Sequence, residues 1–238
     1  MKAAGRTDRG KIRQKNEDEF ILREDPYPIL AVADGMGGHK AGDVASAEVI
    51  ETVKNYAFKP DFCSKSMMEN LVIKANESVI KKGENNPAWR GMGTTLSAAA
   101  VYDNYLYYGH VGDSRIYLLR EKELFQISRD HSLVGEMLDE GKISPEEAFN
   151  HPRGNVLTQA IGLEKNLDID TGSKKLLESD AVLLCTDGLT DMLPESEICR
   201  ILLRYRDEQP ENACKDLIEA ALNSGGKDNI TAVVYEHP

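Results

Sequence analysis

The chain has 238 residues, 41% of them hydrophobic and 29% charged, which is enough apolar material to bury a core within one domain over residues 1–238. Its 29 Lys and Arg against 40 Asp and Glu give a net charge of −11, and this excludes nucleic acid or an anionic membrane as the main partner. Residues 1–19 are charged throughout, unlike a signal peptide, and no apolar run approaches the roughly 18 residues of a membrane span. Cys63, Cys185, Cys199 and Cys214 are widely spaced in apolar contexts, so reduced thiols and a cytoplasmic location are expected.

In chain order, 19–23 and 29–33 read as two strands joined by a turn containing Pro26 and Pro28, an antiparallel pair. Over 43–58, Ala45, Val49, Val53 and Tyr56 recur at helical spacing, with Asp43 or Ser46 as candidate caps. A second helix over 66–82 presents Leu71, Val72, Ala75 and Val79 and stops at Gly83. Beyond a polar loop carrying Trp89, runs at 94–102, 105–110, 115–119 and 123–127 are separated by short turns, which predicts an antiparallel meander. Residues 128–155 break that rhythm with helical pieces at 133–140 and 145–150 and read as an insertion over the sheet. Strands at 181–185 and 230–235 then enclose helices at 195–205 and 211–223. No sustained heptad pattern is present, and a monomer is expected. Strands grouped apart from helices predict an α+β fold of antiparallel layers with helices on both outer faces.

The aspartates fall at strand ends. Asp34 and Asp187 each follow an apolar run (ILAVA-D-G and AVLLCT-D-G), and Asp228 stands just before one (K-D-N-ITAVVY). If the last strand runs antiparallel to the other two, the three carboxylates gather at one end of the sheet. Anions so placed would repel and resist desolvation unless a cation neutralises them. Oxygen donors without a histidine or cysteine cluster favour Mg²⁺ or Mn²⁺ over zinc. Asp18 and Asp113 add two more carboxylates at strand edges. A lone Asp-Gly after a strand is ordinary turn chemistry; five aspartates so placed do not fit that explanation.

The segments R-x-x-N-E-D (13–18), V-A-D-G-M-G-G-H (32–39), G-T-T (93–95), G-D-S-R (112–115), T-D-G-L (186–189) and D-N-I-T (228–231) resemble the ordered motifs of metal-dependent protein serine/threonine phosphatases of the 2C type, in their bacterial form. The resemblance implies a four-layer α-β-β-α sandwich of two antiparallel sheets flanked by helix pairs. It also implies two Mn²⁺ or Mg²⁺ ions at one end and hydrolysis of phosphoserine and phosphothreonine proteins by a water that bridges the metals. A serine/threonine kinase is then the opposing partner. Segment 128–155 resembles the flap that borders the cleft in this family.

Carried over by resemblance, Asp34 is the bridging carboxylate, the Gly35 carbonyl a further ligand, and Asp187 and Asp228 ligands of the other ion. Asp18 acts mainly through coordinated water, and Glu17 is a direct or water-mediated ligand. Asp113 with Asp187 holds a third, looser ion. Arg13 offers a planar fork for phosphate, the alternative being a solvated cation. Animal enzymes have a histidine directly after the D-G, where this chain has Met36, so His39 is the candidate general acid, with substrate binding or loop ordering as its alternatives. A two-metal hydrolase of nucleotides or other small phosphate esters, and a non-catalytic domain of the same fold, are the competing readings.

Overall fold

The computed structural model describes residues 2–36, 41–149, 151–206 and 208–238. Strand β1 (Lys2–Asp8) is followed by β2 (Asp18–Arg23), β3 (Ile29–Met36), helix α1 (Gly42–Asn55) and helix α2 (Lys65–Asn85). Then come β4 (Gly93–Thr94), β5 (Leu96–Tyr102), β6 (Tyr105–Val111), β7 (Arg115–Arg120) and β8 (Glu123–Gln126). The short helices α3 (Leu133–Asp139) and α4 (Pro145–Phe149) lead to β9 (Asp170–Lys175) and β10 (Ala181–Cys185). The chain closes with α5 (Asp187–Thr190), α6 (Glu195–Arg204), α7 (Pro210–Asn223) and β11 (Ile230–Glu236).

These strands form two antiparallel sheets, one ordered β1-β11-β10-β7-β8 and the other β2-β3-β5-β6-β9, with β4 added to β3. Three apolar clusters separate four layers. Ile29, Ala31 and Ala33 of β3 pack with α1 and α2, whereas Leu30 and Val32 pack between the sheets against Leu184 and Val233. On the far side, Leu183 and Ala232 meet Ile198 and Leu217 of α6 and α7. A strand in a middle layer loses both faces to packing, which is why β3, β10 and β11 carry unbroken apolar runs where a one-faced antiparallel strand would alternate. The expected α-β-β-α sandwich is the observed one. Among the described residues no helix is long and apolar enough to cross a membrane, and all four cysteines are free.

Two expectations need correction. The strands from 94 to 127 are not one meander. β5 and β6 pair in one sheet and β7 and β8 in the other, so the Gly112-Asp113 turn crosses between sheets. Nor do Asp34, Asp187 and Asp228 share a sheet: β3 belongs to one, β10 and β11 to the other. Sequence periodicity reports which face of a strand is apolar and not which sheet it joins. β1 and β9 were not foreseen, because edge strands such as DTGSKK carry almost no apolar residues.

Candidate functional site

The carboxylates gather at one end of the sandwich through strand register. β10 and β11 pair antiparallel with Cys185 opposite Ala232, so Asp187, just beyond one strand, and Asp228, just before the other, fall at the same end. In the second sheet Asp18 lies directly opposite Asp34. Like charges facing each other across a strand pair destabilise it, so this pairing demands compensation.

Asp34 lies within β3 and not after it, because Thr94 and Thr95 extend the pairing past Ala33. Its N–H donates to Thr95 Oγ1 at 2.9 Å, and its carbonyl accepts from Thr95 N–H at 2.9 Å and Thr94 Oγ1 at 2.8 Å. With every backbone polar group held, the carboxylate is aimed by the sheet. Gly35 allows the close packing around it: a Cβ there would lie 2.3 Å from the Gly42 carbonyl oxygen.

Asp18 is only 3% exposed. Its Oδ2 accepts from the Thr186 and Thr231 hydroxyls at 2.8 and 2.6 Å, both supplied by the opposite sheet, while its Oδ1 has no partner among the described residues. Asp187 Oδ1 is likewise buried and unpartnered, and the Asp34 and Asp187 carboxyls are close enough to perturb each other's ionisation. Asp228 takes Arg13 Nη2 at 2.5 Å. Asp113 occupies the turn between β6 and β7.

The electrostatics are lopsided. Burial first, and then mutual repulsion, pushes Asp18 and Asp187 up to about 7. The same causes push Asp34 and Asp113 well above the usual carboxylate range. Glu17 is raised by burial and by Asp43. The facing cation Arg13 is itself raised, chiefly by its bond to Asp228. Such a set is poor in positive charge and has acceptor oxygens to spare, which suits hard divalent cations. Among the described residues no three such side chains form a ready-made cage, and Asp228 is closed on Arg13.

Above the carboxylates lies an open cleft of about 1030 Å³, walled on one side by Val134, Leu138, Phe149 and Leu157 around α3 and α4. Arg13, Glu17, Asp34, Gly35, Asp113, Asp187 and Asp228 all line it, with Asp18 buried beneath. Of the residues singled out from the sequence, His39 alone falls outside the described residues. Sequence reasoning assigned no role to Thr186, Thr231 or Asn229. Asn229 accepts Glu17 N–H at 2.8 Å and donates to the Arg9 and Lys15 carbonyls, which pins the loop carrying Arg13. The D-N-I-T segment contained the signal, but an amide that lies 212 residues from the Glu17 N–H it accepts is not visible in a linear motif.

A family model described as protein phosphatase 2C matches residues 11–223. The chain is 41% identical to the serine/threonine phosphatase stp of Listeria monocytogenes serotype 4b (strain F2365), over 99% of this chain and 96% of that one. It superimposes on the Mycobacterium tuberculosis serine/threonine phosphatase PstP/Ppp with a TM-score of 0.88 at 37% identity, covering 98% of this chain and 96% of the other. Against the catalytic domain of PstP in complex with two manganese ions the TM-score is 0.87 at 36% identity, with 98% and 96% covered.

Proposed function

The chain belongs to the protein phosphatase 2C family, and from that membership we propose that its carboxylate end removes phosphate from phosphoserine and phosphothreonine side chains of proteins with the help of two divalent cations. The observation that carries this reading is the set of aspartates brought together from both sheets, two of them with buried oxygen atoms that face no donor. Asp34, the Gly35 carbonyl, Asp187, Asp228 and Asp18 would hold the ions, Glu17 would act directly or through water, and Asp113 with Asp187 would hold a third, looser one. Mn²⁺ is the ion in the PstP complex, and Mg²⁺ suits the same oxygen donors. When bound, the ions supply charge compensation and a nucleophilic water of lowered pKa for in-line displacement.

The chain's own residues do the rest. Arg13 and Asp228 form a partly exposed ion pair, of a kind that contributes under about 1 kcal/mol, so the guanidinium is free to turn its planar fork to phosphoryl oxygens. The cleft is open enough to admit a protein segment with the phosphorylated side chain pointing down to the aspartates. A serine/threonine kinase would supply the esters that this enzyme removes.

The test is Asp34→Ala. Hydrolysis of a phosphothreonine peptide with Mn²⁺ should fall by at least about a thousandfold, and turnover near that of the wild type would overturn the reading. The same assay with nucleotides and small phosphate esters separates a protein phosphatase from a general phosphomonoesterase.

A further inference from the structure

The turn that presents Asp113 is held on both sides by two consecutive residues, Asp130 and His131, at the point where the chain leaves β8 for the α3–α4 segment. His131 donates its main-chain N–H to the Gly112 carbonyl at 2.7 Å and accepts the Gly112 N–H on Nδ1 at 3.3 Å. One residue thus grips both polar groups of Gly112, and the Gly112 carbonyl takes a second bond from His110 Nε2 at 3.0 Å. On the other side of Asp113, Arg115 donates to Asp130 Oδ2 from Nε at 2.9 Å and from Nη2 at 2.7 Å.

Gly112 sits at φ +115, and a Cβ on it would lie 2.5 Å from Thr95 Cγ2. A glycine at such a turn has wide conformational freedom, so bonds from outside must remove it if Asp113 is to stay in one place. His131 is suited to this. It is 2% exposed, and accepting on Nδ1 places its proton on Nε2, which has no partner among the described residues. Leaving a buried N–H unpaired is unfavourable, so the acceptor on Nδ1 is the feature this position retains. His131 is also the base of the α3–α4 segment. Its carbonyl accepts from Thr158 N–H at 2.9 Å, and Leu133 N–H donates to the Val156 carbonyl at 2.8 Å, so the outgoing and returning legs are tied together there.

We propose that Asp130 and His131 are positioning residues that clamp the Asp113 turn, so that the affinity of the Asp113 carboxylate for a divalent cation depends on the base of the α3–α4 segment. The proposal rests on the reading of Asp113 as a cation ligand.

Three proteins test it: wild type, His131→Leu, and His131→Asn, whose Oδ1 can stand in for Nδ1. Each is examined by amide hydrogen exchange at Gly112, by Mn²⁺ calorimetry, and by phosphothreonine-peptide hydrolysis across Mn²⁺ concentrations. His131→Leu should speed Gly112 exchange and weaken the weakest Mn²⁺ step, each by about tenfold, the lower range for losing a residue that orients a metal ligand. Its activity should return at high Mn²⁺. His131→Asn should bring both values back to within about threefold of wild type, since it restores the acceptor. A folded His131→Leu with wild-type exchange and an unchanged Mn²⁺ isotherm would overturn the proposal, and so would a His131→Asn as impaired as His131→Leu. If His131→Leu does not fold, the wild type alone decides: imidazole ¹⁵N spectra should show Nδ1 unprotonated, and a protonated Nδ1 would overturn the clamp. A wild type that hydrolyses the peptide but binds no ion at all would instead overturn the proposed function, and Gly112 exchange would still report on the clamp.

Discussion

Arg13 illustrates what a single residue can show at this site. Its guanidinium lies on Asp228, so substrate phosphate would exchange one anionic partner for another. Arg13→Ala should therefore raise KM for a phosphothreonine peptide by about tenfold while leaving kcat within about threefold, because the interaction lost is one of binding. Initial-rate kinetics at saturating Mn²⁺ decide the point; a fall in Mn²⁺ affinity with KM unchanged would show that Arg13 serves the ions. Asp34 and Asp187 were legible in the sequence because each ends an apolar run, and a carboxylate at that boundary calls for an explanation. Thr186 and Thr231 were not. A threonine in or beside a strand is ordinary, and only the closing of two sheets places both hydroxyls on Asp18 Oδ2.

Among the elements, the middle strands carry the fold. Leu30 of β3 has no exposed surface and sits between the two sheets. Leu30→Ala should cost about 3 kcal/mol, the usual penalty for a cavity in a close-packed core. Ile12, which is 69% exposed, should lose less than about 0.5 kcal/mol on the same substitution. Urea unfolding of both variants measures the contrast, and equal losses would mean that the inter-sheet core contributes little. The helices α1, α2, α6 and α7 were readable from their apolar spacing because each packs one face on a sheet. β1 gave no such signal. It is recognisable only through its register with β11, in which Lys2 to Asp8 face Glu236 to Ile230, and a polar edge strand owes its conformation to that partner more than to its own composition.

At the scale of the whole molecule, the aspartate cluster links stability to pH. Asp18 and Asp187 rise to about 7, and Asp34 and Asp113 rise as well, all through burial and mutual repulsion. Raised acids keep their protons in the folded state after the unfolded chain, titrating near 4, has lost them, so the metal-free protein loses stability as pH climbs through the folded values. His110 and His131 act in the opposite sense. Burial holds both at about 4, so their contribution is complete above roughly pH 6.5 and is lost on acidification. Between pH 6.5 and 8.5 only the carboxylates remain in play. With EDTA the Tm should fall across that window, and with saturating Mn²⁺ the fall should disappear; thermal unfolding under both conditions checks this, and a flat EDTA series would contradict it. By itself the sequence determined which residues are apolar on both faces, which aspartates end those runs, and, through the order of its motifs, the family. Only the tertiary structure decided that the aspartates come from two sheets, that Thr94 and Thr95 aim Asp34, and that Asp130 and His131 hold the Asp113 turn. Periodicity along a chain reflects burial of individual residues, whereas the meeting of side chains far apart in sequence is set by strand register and sheet packing.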